Sequence, residues 1–247
     1  MAGDDESVMA PVSRGVWCLT ADLDLLGRLG ASDFDWMALD AQHGALDRAA
    51  LHAAGRVLSG ARVPFVVRVP SVDPAWIGLA LDAGALAVVV PSVTTVADAV
   101  IAAQACRYPP LGERSWGQLA PLWGGLVVPP EEANAAVRCA VMIETSGALE
   151  DVEAIASTPG VDLLFIGPLD LSLSLGTTVD ALLEDHGADS PLRRVVAAAG
   201  ASSIGVGAFA GSADVATRMR AHGIRCLAVT TDLAIVDAGV AAALTAD

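Results

Sequence analysis

Two runs decide the fold: Val141-Met142-Ile143-Glu144-Thr145 and Phe165-Ile166-Gly167-Pro168-Leu169-Asp170. Each is a short apolar stretch that ends at a carboxylate. Apolar runs of this length between turn residues read as strands buried on both faces, as in a parallel sheet. The last residues of such strands project from the carboxyl edge, where parallel α/β folds bind ligands. Glu144 and Asp170 are therefore candidate ligands of one metal ion.

The same alternation extends outward through the chain. Strand-like runs at residues 14–19, 36–39, 64–68, 87–90, 139–143, 163–166, 203–206 and 226–229 alternate with helical stretches at 21–29, 46–59, 74–83, 95–106, 147–156, 191–199, 212–221 and 233–244. Shorter helices are expected near 131–137 and 182–186. Eight such units in 247 residues suit a single-domain (β/α)8 TIM barrel, which takes about 250 residues. An open doubly wound sheet is the alternative. No break in composition marks a second domain, so residues 14–247 are expected to form the barrel and 1–13 a flexible acidic segment. The Pro- and Gly-rich stretch 107–130 is long for a connection, and such loops are usually functional.

Composition excludes several chemistries. All fourteen basic residues are arginine. Without lysine there is no Schiff-base aldolase, pyridoxal-phosphate enzyme or P-loop nucleotidase. A net charge of −15 disfavours nucleic acid and anionic membranes as partners. Cys18, Cys106, Cys139 and Cys226 are far apart and form no CxxC, so they read as buried thiols. The N-terminus lacks the basic and apolar regions of a secretory signal. The longest uncharged run, 195–213, is broken by glycines and makes a poor membrane span. A cytoplasmic location is expected.

In a barrel, Asp40 and His43 after strand 2, Arg68 closing strand 3, Glu144, Asp170, and Asp232 after strand 8 all converge on the C-terminal mouth. Two carboxylates with waters and a chelating substrate suit octahedral Mg²⁺ or Mn²⁺. Arg68 can stabilise a carboxylate or a developing enolate oxygen. His43 can act as general acid or base. Asp232 alone reads as a helix N-cap, and His52, His186 and His222 as surface residues. The glycines of Gly205-Val206-Gly207-Ala208-Phe209-Ala210-Gly211, placed after strand 7, suggest tight turns or close approach to a ligand.

Four segments then resemble a known family: Phe34-Asp35-Trp36 through Asp40-Ala41-Gln42-His43-Gly44; Val66-Val67-Arg68-Val69-Pro70; Arg107-Tyr108-Pro109-Pro110-Leu111-Gly112-Glu113-Arg114; and Ile143-Glu144-Thr145 with Gly167-Pro168-Leu169-Asp170-Leu171-Ser172. They resemble the HpcH/HpaI aldolases, class II metal-dependent pyruvate aldolases that include 4-hydroxy-2-oxoheptanedioate and 2-dehydro-3-deoxyglucarate aldolases. The resemblance implies a homo-oligomer, hexameric or trimeric, whose barrels exchange their last helix. It implies Mg²⁺, Mn²⁺ or Co²⁺ on Glu144 and Asp170, Arg68 on pyruvate and its enolate, and His43 as acid/base. Asp82 takes the place of that histidine's partner, and Asp40 that of another acid near the site. Gly167, Pro168 and Leu169 fall in the substrate-binding segment. Gln42 stands where many members have Glu, Ser115 where many have Gly, and Met142 where some have Gln. The expected reaction is cleavage or formation of a 4-hydroxy-2-oxo acid, a small-molecule substrate, through pyruvate enolate and an aldehyde. Alternatives on the same site are oxaloacetate decarboxylation, CoA-ester cleavage, or 2-oxo-acid binding without catalysis.

Overall fold

The strands are apolar in their middles because one face packs inside a barrel and the other under helices. The computed structural model describes Met9 and residues 12–245. Its strands are β1 (Ser13–Cys18), β2 (Trp36–Asp40), β3 (Phe65–Arg68), β4 (Ala87–Val90), β5 (Arg138–Ile143), β6 (Leu163–Ile166), β7 (Gly205–Phe209) and β8 (Cys226–Thr231). All pair in parallel with their sequence neighbours, and β8 closes on β1. Around them lie α1 (Leu23–Gly30), α2 (Arg48–Leu58), α3 (Pro74–Asp82), α4 (Val96–Cys106), α5 (Pro130–Ala136), α6 (Ser146–Glu150), α7 (Val152–Ala156), α8 (Pro168–Ser174), α9 (Val179–Glu184), α10 (Pro191–Ala201), α11 (Ala213–Ala221) and α12 (Asp232–Leu244). The closed barrel is the expected fold, and the open-sheet alternative falls.

Period-two alternation fills the interior. Trp17, Trp36, Ala38, Val66, Ala87, Val89, Ala140, Met142, Leu163, Phe165, Cys226 and Ala228 pack together inside, with Met9 beneath them. The intervening residues, among them Met37, Leu39, Val67, Val88, Val141, Ile143, Leu164 and Ile166, pack under the helices. Large rings demand small neighbours: a Cβ on Gly15 would stand 2.4 Å from the Trp36 ring. Carried two residues further, the inward phase delivers Asp40, Arg68 and Glu144 to the C-terminal mouth. β2 and β3 are in register there, with Asp40 opposite Arg68.

Several expectations need correction. Ser13 belongs to β1 and Met9 is buried, so part of the segment expected to be flexible is structural; residues 1–8, 10 and 11 lie outside the described residues. The 147–156 helix is divided between α6 and α7. The Gly205–Gly211 stretch is β7 itself up to Phe209 rather than a loop after it. Gly207 is needed by packing, since a Cβ there would meet Cys226 O at 3.0 Å and the Phe165 ring at 3.1 Å. His222 is buried rather than on the surface, stacked on the exposed His186 ring at 4.4 Å. The 107–130 stretch follows α4 and precedes β5, so it lies at the N-terminal face, away from its own barrel's mouth. Arg107 anchors it to Gly160 O and Asp162, and Tyr108 exchanges hydrogen bonds with Asn134. Among the described residues no helix is long and apolar enough to cross a membrane.

Candidate active site

The mouth is built on Asp40, which is fully buried. Its carboxylate accepts from Arg68 Nε at 2.9 Å and Arg68 Nη2, from Trp17 Nε1 at 3.1 Å, and from the Gln42 and His43 amides at 2.9 and 3.2 Å. Burial alone would raise this carboxyl. The Arg68 hydrogen bonds and charge, the Trp17 indole and the His43 amide together hold it below the ordinary aspartate value. Arg68 is thereby fixed as a fork, with its guanidinium carbon 5.1 Å from the Trp17 ring centroid. The turn that follows needs Gly44, since a Cβ there would stand 2.4 Å from Asp40 O. That turn presents His43, exposed, at the rim.

Glu144 stands just past the end of β5, 5% exposed, and its Oε1 accepts the Ser92 amide at 2.6 Å. Ser92 sits in the left-handed region at φ +56°, a conformation that costs a non-glycine residue about 1–2 kcal/mol. Burial pushes the Glu144 carboxyl up; Asp170 raises it further, while the Ser92 amide, Arg68 and His43 oppose the rise. Glu144 therefore lies within electrostatic reach of all three charged candidates. A Cβ on Gly167 would stand 2.8 Å from Glu144 Oε2, so glycine there keeps the space beside the carboxylate open. Asp170 lies on the first turn of α8, exposed. Two hard oxygen donors with open space beside them fit a divalent ion that keeps waters and takes its other ligands from substrate. Among the described residues no group of three or more His, Cys, Asp and Glu is arranged to hold a metal by itself.

Two expected roles look different in three dimensions. Asp232 is not the α12 cap; Thr231 is, accepting from the Ala234 amide. Asp232 is fully buried and accepts from the Leu19 amide and from the amide and hydroxyl of Thr20, tying the end of β1 to the end of β8. Asp82 ends α3, shortly before β4 begins, so it lies at the N-terminal face with its carboxylate on Arg114 Nη2 at 2.7 Å. Within one chain it is at the opposite end of the barrel from His43. Trp17 and Ser92 were missed by sequence reasoning. Trp17 sits inside an apolar run that hides its indole donor, and Ser92 contributes only backbone.

The profile of the HpcH/HpaI aldolase/citrate lyase family matches residues 14–237. The chain belongs to that family. It is thus an enzyme, a carbon–carbon lyase of the HpcH/HpaI type. It is similar to a 4-hydroxy-2-oxovalerate aldolase of Novosphingobium aromaticivorans, 37% identical over 193 residues, covering 76% of this chain and 73% of the relative. A 5-keto-4-deoxy-D-glucarate aldolase of Salmonella arizonae is 32% identical over 230 residues, covering 92% and 89%. An HpcH/HpaI aldolase/citrate lyase family crystal structure from Burkholderia cenocepacia J2315 superposes with a TM-score of 0.84 at 32% identity, covering 95% and 94%. In this HpcH/HpaI chain the cysteines are bystanders: all four are buried, and burial pushes the Cys226 thiol to about 12 and raises Cys18 too.

Proposed function

We propose that the protein is a divalent-metal-dependent pyruvate aldolase acting on 4-hydroxy-2-oxo acids. The observation that carries this reading is the fixed Arg68 fork beside Glu144, Asp170 and His43 on one rim. Mg²⁺, Mn²⁺ or Co²⁺ held by Glu144 and Asp170 would supply Lewis-acid stabilisation of developing negative charge. Arg68, pre-oriented by Asp40, binds the 2-oxo acid and holds the charge that collects on its C2 oxygen. The backbone of Gly167, Pro168 and Leu169 opens α8 beside that position and lines the substrate. His43 takes the proton of the C4 hydroxyl, whose oxygen becomes the aldehyde carbonyl. The C3–C4 bond breaks and its electron pair passes to pyruvate enolate, which is protonated at C3.

Asp82 can serve as partner of His43 only from a second copy of the chain, because its own barrel separates the two. A second copy is supported independently by α12. That helix is apolar apart from Asp232 and Asp237, yet buries only Asp232 and leaves Leu233, Val236, Val240 and Leu244 exposed. A helix apolar all round belongs in an interior, so we assign it to the surface of a neighbouring subunit, exchanged within a trimer or hexamer.

A coupled pyruvate-release assay on 4-hydroxy-2-oxo acids tests the reading. Loss of one such oxyanion donor costs about 10²–10³ in rate, so Arg68→Ala, which also leaves the buried Asp40 without its counter-charge, should lose at least that much in the protein that remains folded. EDTA should abolish cleavage until Mg²⁺, Mn²⁺ or Co²⁺ is returned. Near-normal turnover in either case would refute the assignment.

A further inference from the structure

Positive side chains are scarce around the mouth. In the inner ring the acids are Asp40, Glu144, Asp170 and Asp232, and the bases are Arg68 and His43. Asp22, Asp47 and Asp73, which cap α1, α2 and α3, add further negative charge. No other arginine lies at the C-terminal end of a strand or in residues 19–22, 41–47, 69–73, 91–95, 144–145, 167–174, 210–212 or 230–232, and the chain has no lysine. Arg48, the first residue of α2, is turned onto the Trp76 ring of α3, 5.5 Å from its centroid. A second copy that brought Asp82 to the mouth would bring Arg114 with it, but that side chain is 3% exposed and already bonded to Asp82.

What borders the acids is apolar. α8 buries Pro168, Leu171 and Ser172 and turns Leu169, Asp170 and Leu173 outward. Leu169 and Leu173 are one turn apart and share one open face, beside Asp170. Both are largely exposed.

We infer that this enzyme selects 4-hydroxy-2-oxo acids whose aldehyde half is uncharged and discriminates against those bearing a second carboxylate at that end. The inference rests on the aldolase reading above. Arg68 answers the charge at the 2-oxo-acid end of the substrate. A second carboxylate would meet Leu169 and Leu173 without a positive partner, since Arg68 and the divalent ion would be engaged at the 2-oxo-acid end, which is how a site rejects a wrong ligand. The relatives' names span both classes, since 4-hydroxy-2-oxovalerate carries one carboxylate and 5-keto-4-deoxy-D-glucarate two.

The test compares 4-hydroxy-2-oxoheptanoate with 4-hydroxy-2-oxoheptanedioate. The pair differs only at the terminal carbon, remote from the breaking bond, so intrinsic reactivity is shared. The monoacid is expected to have the higher kcat/KM by at least about tenfold. Raising the salt concentration should narrow the gap if repulsion sets it. Leu173→Arg, at an exposed position, should raise kcat/KM for the diacid by about tenfold relative to the monoacid. Equal or better cleavage of the diacid by the unaltered enzyme overturns the inference alone. So does a preference that neither salt nor Leu173→Arg changes. Release of pyruvate from neither compound would overturn the aldolase reading, and the inference with it.

Discussion

At the C-terminal rim Asp40 meets Arg68; at the N-terminal face Asp82 meets Arg114. Both are aspartate–arginine pairs with little solvent access, yet their carboxyls shift in opposite directions. Burial raises both. At Asp40 the forked Arg68, the Trp17 indole and the His43 amide outweigh burial, and the carboxyl falls below its ordinary value. At Asp82 a single Arg114 bond does not outweigh burial, and the carboxyl rises. The number of donors around a buried carboxylate decides whether the pair strengthens its ionisation or merely limits the cost.

The largest expected effect comes from removing the better-served carboxylate. Asp40→Ala leaves Arg68 without its counter-charge and also orphans Trp17 Nε1 and two amides. A buried pair broken from one side costs about 3–5 kcal/mol, and cleavage should fall with the arginine's orientation. Asp82→Ala should cost less, since Arg114 loses one bond. Equilibrium urea denaturation of the two variants measures the difference; equal losses would break the comparison.

The pH dependences should have opposite signs. Asp40 has a folded value below the unfolded aspartate value of about 3.9. Its stabilisation is therefore complete above that pH and is lost as pH falls through the folded value. Asp82 has a folded value above 3.9, so the native state holds its proton longer and stability declines as pH rises from the unfolded to the folded value. In denaturation series at several pH values, Asp40→Asn should flatten the acid limb. Asp82→Asn should remove a decline just above pH 4. A matching slope change in both variants would refute the opposite shifts.

A smaller effect isolates one donor. Trp17→Phe keeps the ring in the barrel and removes the indole N–H from Asp40. One hydrogen bond to a charged group is worth about 1.5–3 kcal/mol, and its loss should move the onset of acid unfolding to higher pH. An unchanged onset would mean that Arg68 and the two backbone amides fix the carboxyl without the indole.

The rim was more legible than the face because its chemistry follows from strand ends. Apolar runs closing at Arg68 and Glu144 announce a barrel mouth, and the barrel itself follows from eight repeated units. The inward phase was not legible: strands buried on both faces show no alternation, so which residues line the interior emerges only from register. Hence the indole donor of Trp17 had no signal of its own in the sequence. Asp232 passed for a cap because the adjacent Thr231 takes that position. The length of the stretch 107–130 marked it as a functional loop without saying where it lies, and its place between α4 and β5 assigns it to the N-terminal face. Asp82 was indicated by the family resemblance alone, and within one chain it is the α3 terminus held by Arg114.

Ser92 gives the smallest expected effect and the sharpest test of what the rim uses. Its contribution to Glu144 is a backbone N–H, given from a left-handed conformation. Glycine adopts φ +56° without the steric cost that serine bears there, but loses about 0.5–1 kcal/mol more on folding through chain entropy. These terms oppose each other, and the amide is retained. Ser92→Gly should therefore change stability by no more than about 1 kcal/mol and leave cleavage within about a factor of two, since the donor to Glu144 persists. A tenfold loss of cleavage at unchanged stability would assign the work to the serine hydroxyl. The support of Glu144 would then come from a side chain, as that of Asp82 does from Arg114, rather than from a fixed backbone donor.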